Sequence, residues 1–442
     1  MLKQKETSAA LCSDATKRFL LAAKHAEITV LEQLSSNCRI VIAVCDLVHA
    51  LQKERGASNI YLGSKGARYT NARLQYISHS ESAESLLKSH LKSLYLTNAV
   101  SSGNPRLLSS ITLAMQATDY LPHLREQINK QGFSALESTR AYSRLIASLL
   151  TVIFEAADIA SDPDITRLLV SLFNFMQAKE YAGQERAWGA IGFAETHFES
   201  HLCEKLHTLQ HAQDRHFTIF SEFSPPASMQ SFCELNESEA TFDVLRLRKM
   251  IAQLSDGSPI SEAISEVWFD VATRRIDALQ TIEVQLTQSL MAQANQKVID
   301  AKNEMTNHQQ LLDKFNDEHL SEGSPLTLLF DPNMPGLVED ASKDNVNPAA
   351  IDEQTQTLAA HRSFYDLLRV QARHIEDMGR ELDEAKRAIH EQKVIGRAKL
   401  VIMNKFNLSE NSAYRRLQKQ AMSENTTIAS IATKIVTIAE TM

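Results

Sequence analysis

Glycine and proline are scarce in this chain. Its 442 residues include 13 glycines and 10 prolines, roughly 5% together against about 12% in ordinary usage. Few turn formers over such a length imply long helices, and no stretch shows the period-2 alternation of half-buried strands. Cysteine is sparse too. Cys12, Cys38, Cys45, Cys203 and Cys233 are odd in number and form no CxxC pair, which argues against a disulfide frame and for reduced thiols in a cytosolic protein. No run approaches 18 uninterrupted apolar residues, and the opening MLKQKETSAALCSDATKRF lacks the apolar core of a secretion signal. A soluble, cytoplasmic protein without a membrane span is therefore expected. P-loop, GxGxxG, HExxH and kinase signatures are missing, as is a nucleophile motif, so neither an enzyme nor a cofactor is expected.

What is present divides unevenly. The length suggests two or three domains. The net charge is −8, yet residues 393–442 hold eight bases and three acids, a balance of +5 that leaves residues 1–392 at −13. A small basic module on an acidic body points to a polyanionic partner for the module.

Apolar periodicity predicts one long helix over 15–62, then helices over 107–131, 135–161, 164–194, 239–254 and 258–300. Residues 321–350, rich in Pro, Gly, Asp, Asn and Ser, read as a linker. Beyond it Leu368, Ile375, Leu382 and Ile389 fall at heptad a positions, with Gln371, Met378, Ala385 and Gln392 at d. Four imperfect heptads over 365–394 favour a dimeric coiled coil over a single packed helix. Three helical segments with apolar faces follow in 395–442, and Ser409 is the predicted N-cap of the second.

Two arginines sit where core residues belong. In 51-LQKERGASNIYLG-63, Val44, Leu47, Leu51 and Arg55 share one helical stripe. In 179-KEYAGQERAWGAIGF-193, Arg186 follows Met176, Lys179 and Gly183 on one face. The tetrapeptides Gln52-Lys53-Glu54-Arg55 and Gly183-Gln184-Glu185-Arg186 echo each other, which suggests duplicated bundles facing one another. A buried guanidinium needs an anion, either a carboxylate of the chain or a ligand. Arg246, beside Phe242 and Met250, and Arg275, beside Trp268, Val271 and Leu279, are further candidates. The histidines His197, His201, His207, His211 and His216 lie at helical spacings but offer no fixed ligand set, so a polar helix end is preferred to a metal site.

The stretch 395–436 resembles the ANTAR family of RNA-binding antitermination domains through Ala398-Lys399, Ile402-Met403, Leu408-Ser409-Glu410, Ala413-Tyr414, Leu417, Ala421-Met422 and Ala432. Leu400, where glycine is frequent, and Ile402, in place of leucine, are mild departures. The resemblance implies a coiled coil leading into a three-helix bundle over 360–442, which binds paired hairpins in a leader transcript. Tyr414 beside Arg415-Arg416, with Arg397, Lys399, Lys405 and Lys419, supplies the stacking planes and cations that single-stranded RNA requires. Duplex DNA binding through a helix-turn-helix is the alternative for a basic three-helix unit.

Residues 35–295 resemble the NIT family of nitrate- and nitrite-sensing domains. The resemblance is carried in order by LQKERG, 121-LPHLREQI-128 with Tyr142 and 145-LIASLL-150, Lys179-Glu180 with Gly183 and Glu185-Arg186-Ala187, and 268-WFDVATRRIDAL-279. It implies an all-α sensor of two up-down four-helix bundles that binds nitrate or nitrite, with Arg55, Arg186, Arg246 and Arg275 as candidate ligands. A guanidinium fork suits a planar monoanion with three acceptor oxygens. The whole chain is then expected to be a homodimeric, ligand-controlled transcription antiterminator.

Overall fold

The computed structural model describes residues 14–96, 104–194, 198, 200–253, 263–317, 355–406, 408 and 410–440. Among these residues every regular element is a helix. The linker 321–350, the expected N-cap Ser409 and His197 fall outside them, as do the side chains of Leu368, Gln371 and Ile375.

Helix α1 runs from Asp14 to Gly63 without interruption, as the apolar stripe predicts, and Val41, Val44, Leu47 and Leu51 are buried. By mean hydropathy, Arg18–Gly63 is the one stretch among the described residues long and apolar enough to cross a membrane, and 61% of its apolar window is buried within the protein. After a turn in which Gly66 takes φ +86°, α2 (Thr70–Leu91) passes into a π-helical segment, Lys92–Leu96.

The helix expected over 107–131 is broken. It forms α3 (Pro105–Asp119) and α4 (Leu121–Asn129), separated at Tyr120. Pro122 is the cause, since a proline ring clashes with the carbonyl four residues back and offers no N–H. Asn104 caps α3, and Ser134 with Glu137 forms a capping box at the start of α5 (Ala135–Ile159). Helix α6 (Pro163–Ala194) packs against α5 and α7 (Ser200–Phe223). It is buried on nearly every face, so its polar residues must find partners inside the protein.

A short α8 (Pro226–Asn236) is followed by α9 (Glu239–Gln253) and α10 (Ala263–Asp317). Helix α11 (Thr355–Phe406) joins the heptad stretch and the first segment of the basic module in one helix. It is followed by α12 (Glu410–Ser423) and α13 (Ile428–Glu440). Ala398 and Ile402 of α11 pack with Ala413, Leu417, Ala421, Ile431 and Ala432 as one small core. Three of those four alanines, Ala398, Ala413 and Ala432, are fully covered, which lets the helices approach closely.

The chain forms two compact units, Leu34–Ala294 with Glu384–Met442, and Met1–Gln33 with Asn295–Asp383. In the second, Lys24 donates to Glu27 and Glu304, both at 2.9 Å. The first holds all the candidate site residues.

Candidate functional site

The anion that meets Arg55 is a carboxylate of α6. Arg55 Nη1 and Nη2 donate to the two oxygens of Glu180 at 2.5 and 3.1 Å, and Nη1 also donates to Ser143 Oγ at 3.0 Å. Glu180 accepts two further hydrogen bonds, from Gln52 Nε2 at 2.9 Å and Gln184 Nε2 at 3.0 Å. Both partners of the pair are almost wholly buried. A bidentate contact with its remaining acceptors satisfied is the geometry that makes a buried ion pair tolerable.

Arg186 is in a different position. It is 8% exposed, donates through Nη1 to Thr273 Oγ1 at 2.8 Å, and lies 4.7 Å over the Phe269 ring. Among the described residues it forms no ion pair. Burial, and then the neighbouring charge of Arg55, lower its pKa to about 10. The two arginines also lie against each other's glycines. A Cβ at Gly56 would stand 2.7 Å from Arg186 Nη2, and one at Gly183 would stand 2.5 Å from Arg55 Nη2. Only hydrogen at these two positions leaves room for both guanidinium groups.

The glutamates of the echoed tetrapeptides serve their own halves. Glu54 accepts from Arg125 Nε and Nη2 at 2.8 and 3.0 Å and from Tyr142 Oη at 2.7 Å, and Ser80 also donates to it. Glu185 accepts from Arg248 Nε and Nη2 at 2.7 and 2.6 Å, from Gln210 at 2.9 Å and from Gln213 at 2.7 Å. Burial pushes the Glu185 carboxyl up, but Arg248 and the two amides outweigh that and hold it below its usual value. One turn before the second tetrapeptide, Lys179 pairs with Glu283 at 2.5 Å.

The four candidate arginines therefore separate. Arg55 and Arg186 come together. Arg275 is buried elsewhere in the unit, with Nη1 donating to Gln213 at 3.2 Å, its Nε without a partner among the described residues, and the Phe217 ring 5.9 Å away. Burial and Arg248 lower its pKa to about 10. Arg246 is 80% exposed and, among the described residues, pairs with Asp243 at 3.5 Å, so the structure does not bring it to the buried cluster. It points to solvent because Arg248, two residues on and about 200° around the helix, takes the inward direction. Arg248 carries no signal that singles it out in the sequence, and Glu180, Arg125 and Thr273 stand there only as parts of motifs.

The basic module packs on the same unit. Gln392 donates to Asn174 at 2.7 Å and Lys393 to Asp158 at 3.3 Å, while Ala385 and Ile389 are buried. These heptad positions are thus engaged within the chain. The Arg215 guanidinium lies 3.9 Å over the Tyr414 ring, and that of Arg416 lies 3.8 Å over Phe406. A groove of about 1170 Å³ runs between sensor and module, with Lys399, Tyr414, Arg415 and Lys419 on one side and Ser143 and Glu180 on the other. Arg397 and Lys405 are exposed on α11. His207 and His211 approach at 3.1 Å between their Nε2 atoms, and His216 Nδ1 meets Asn174 Oδ1 at 2.8 Å. Among the described residues no group of three or more His, Cys, Asp and Glu could hold a metal.

The comparisons with known proteins fall on these same segments. The family model described as nitrate and nitrite sensing, NIT, matches residues 46–291, and that of the ANTAR domain matches residues 383–436. A nitrate regulatory protein of Klebsiella oxytoca is 28% identical over 410 residues, 92% of this chain and 91% of that protein. A solved structure, of the NasR transcription antiterminator, is 26% identical with a TM-score of 0.58, covering 96% of this chain and 99% of that one.

Proposed function

Because this chain belongs to the NIT family, whose model spans more than half of it, and carries an ANTAR domain behind that sensor, we propose that it is a nitrate- or nitrite-responsive transcription antiterminator. One observation carries the ligand assignment. Arg55 and Arg186 converge in the interior from separate helices, and Arg186 has no carboxylate of its own among the described residues. A planar monoanion would accept from the unused edge of Arg186 while offsetting the repulsion between the two cations. Arg275 acts one layer away, through Gln213 and Arg248, rather than on the ligand.

The output is RNA binding through Tyr414, Arg415, Arg416, Lys399, Lys419, Arg397 and Lys405, directed at paired hairpins in a leader transcript. Without ligand the module is held against the sensor, with Tyr414 covered by Arg215 and Lys393 tied to Asp158. Ligand shifts the population towards a state in which these contacts are released. Homodimerisation through α11 and a cytoplasmic location belong to the same proposal, as does action as a regulator rather than an enzyme.

Calorimetric titration with nitrate tests the sensor. Arg55→Ala and Arg186→Ala should each lose at least tenfold in affinity, and wild-type affinity in either variant would remove that arginine from the site. Gel-shift titration tests the output. Arg215→Ala should bind leader hairpin RNA more tightly than the wild type in the absence of nitrate. Equal affinity would overturn the holding contact, and preference for duplex DNA of the same sequence at matched salt would favour a helix-turn-helix reading.

A further inference from the structure

The buried charges around the two arginines do not cancel. Close by, each ion pair is closed: Glu54 with Arg125, and Lys179 with Glu283. Arg55, Arg186 and Glu180 form the remaining group, two cations and one carboxylate. Asp277 also attracts Arg186, but it is exposed and so is screened by water. The cluster is left with one uncompensated positive charge in surroundings nearly closed to solvent, the situation a protein interior tolerates least.

That surplus has a definite size. One bound monoanion brings the buried count to zero. A dianion would take it to one net negative charge and would arrive at a higher desolvation cost, which grows with the square of the charge. Glu180 fixes this count because it cannot readily step aside. Its two oxygens accept from Arg55 twice, from Gln52 and from Gln184, so all its acceptor directions facing the site are in use. On Arg186, by contrast, only Nη1 has a hydrogen-bond partner among the described residues, which leaves Nε and Nη2 as a fork for an incoming oxyanion.

We propose that Glu180 is a specificity-determining residue of the anion site: by neutralising one of the two arginines it sets the site for monovalent oxyanions and turns away dianions such as sulfate. This rests on the reading that the anion binds between Arg55 and Arg186. Without Glu180 the same two guanidinium groups would present a double positive charge, a match for sulfate as good as for nitrate or better.

The test is competitive calorimetry on the full chain with nitrate and with sulfate at matched ionic strength. The wild type should prefer nitrate by at least a hundredfold. Glu180→Gln keeps the shape but removes the charge and one of the two accepting oxygens, and the preference should fall at least tenfold, mainly through tighter sulfate binding. Glu180→Asp, which keeps the charge, should retain the preference even where both affinities weaken. A Glu180→Gln protein whose nitrate-to-sulfate ratio stays within twofold of the wild type overturns the proposal. Should that variant not fold, Ser143→Asp replaces it, since Ser143 accepts from Arg55 at 3.0 Å and a carboxylate there would cancel the surplus. Nitrate affinity should then drop at least tenfold relative to Ser143→Asn, and equal affinities overturn the charge count. Failure of the site itself is distinguishable, because Arg186→Ala would then bind nitrate as the wild type does.

Discussion

The guanidinium of Arg186 occupies the space that any side chain at Gly56 would need, with Nη2 2.7 Å from the position of a Cβ. Arg55 does the same at Gly183. In both cases the crowded atom ends a flexible side chain, so the arginine would move rather than the backbone. Gly56→Ala should therefore cost little stability, about 1 kcal/mol or less, because alanine also favours the helix, whereas Gly183→Ala displaces an Arg55 paired with the buried Glu180 and should cost more, about 1–3 kcal/mol. Nitrate affinity should fall at least tenfold. Thermal unfolding and calorimetry on the same preparations separate the two effects, and unchanged affinity in both variants would mean that the guanidinium positions do not matter.

Removing Glu54 should be severe. It is fully buried and takes hydrogen bonds from Arg125, Tyr142 and Ser80, so Glu54→Gln leaves the buried Arg125 guanidinium with the exposed Glu81, at 3.2 Å, as its remaining counter-ion. A loss of about 3–5 kcal/mol is expected. Arg68→Ala, which breaks an ion pair with Glu266 at the surface, should cost about 0–1 kcal/mol. Urea unfolding measures both, and similar losses would contradict the burial argument.

Acid should weaken the sensor before it reaches the carboxylates. Burial, then Arg215 and Lys399, lower the His216 pKa to about 3, against about 6.5 when unfolded. Between those values the unfolded chain carries a proton that the folded one refuses, so stability rises with pH and is lost as pH falls from about 6.5 towards 3. At neutral pH the Nδ1 proton is donated to Asn174 Oδ1. His216→Gln should lose less stability than the wild type between pH 7 and pH 5, by up to about 1 kcal/mol per pH unit. Parallel losses would show that His216 titrates normally.

Gly189 makes a packing prediction. A Cβ there would stand 2.4 Å from the Trp268 indole, which is buried, donates Nε1–H to the Arg186 carbonyl at 2.9 Å and packs with Phe193 and Phe198. An aromatic ring wedged in a core has less room to yield than the end of a long arginine side chain. Gly189→Ala should cost about 1–3 kcal/mol, read by urea unfolding, and a stability within error of the wild type would show that the indole relocates.

The long helices are legible in the sequence because apolar spacing and the shortage of turn residues act locally along the chain. The inward arginines are legible for the same reason, since Arg55 and Arg186 continue stripes whose other members are apolar. The break at Tyr120 escapes that reading although Pro122 is in view, because the apolar pattern continues across it. Arg246 and Arg248 show the limit more sharply. Two residues apart on one helix, they differ in burial because of what packs on α9, and no local pattern holds that information. Glu180 poses the opposite problem. Its partner Arg55 is 125 residues away, so only the fold could reveal which carboxylate answers which guanidinium.

The contact between Arg215 and Tyr414 bears on dosage. A ligand moves a two-state equilibrium only by its difference in affinity for the two states, and the closed population taxes its apparent affinity. On the proposed release of the module, the midpoint of the anion response is set jointly by the arginine site and by how firmly one aromatic ring is clasped some distance away. Weakening the clasp lowers that midpoint and raises basal readthrough together. Substitutions on α7 or α12 could thus retune the threshold of the response while the anion site stays untouched.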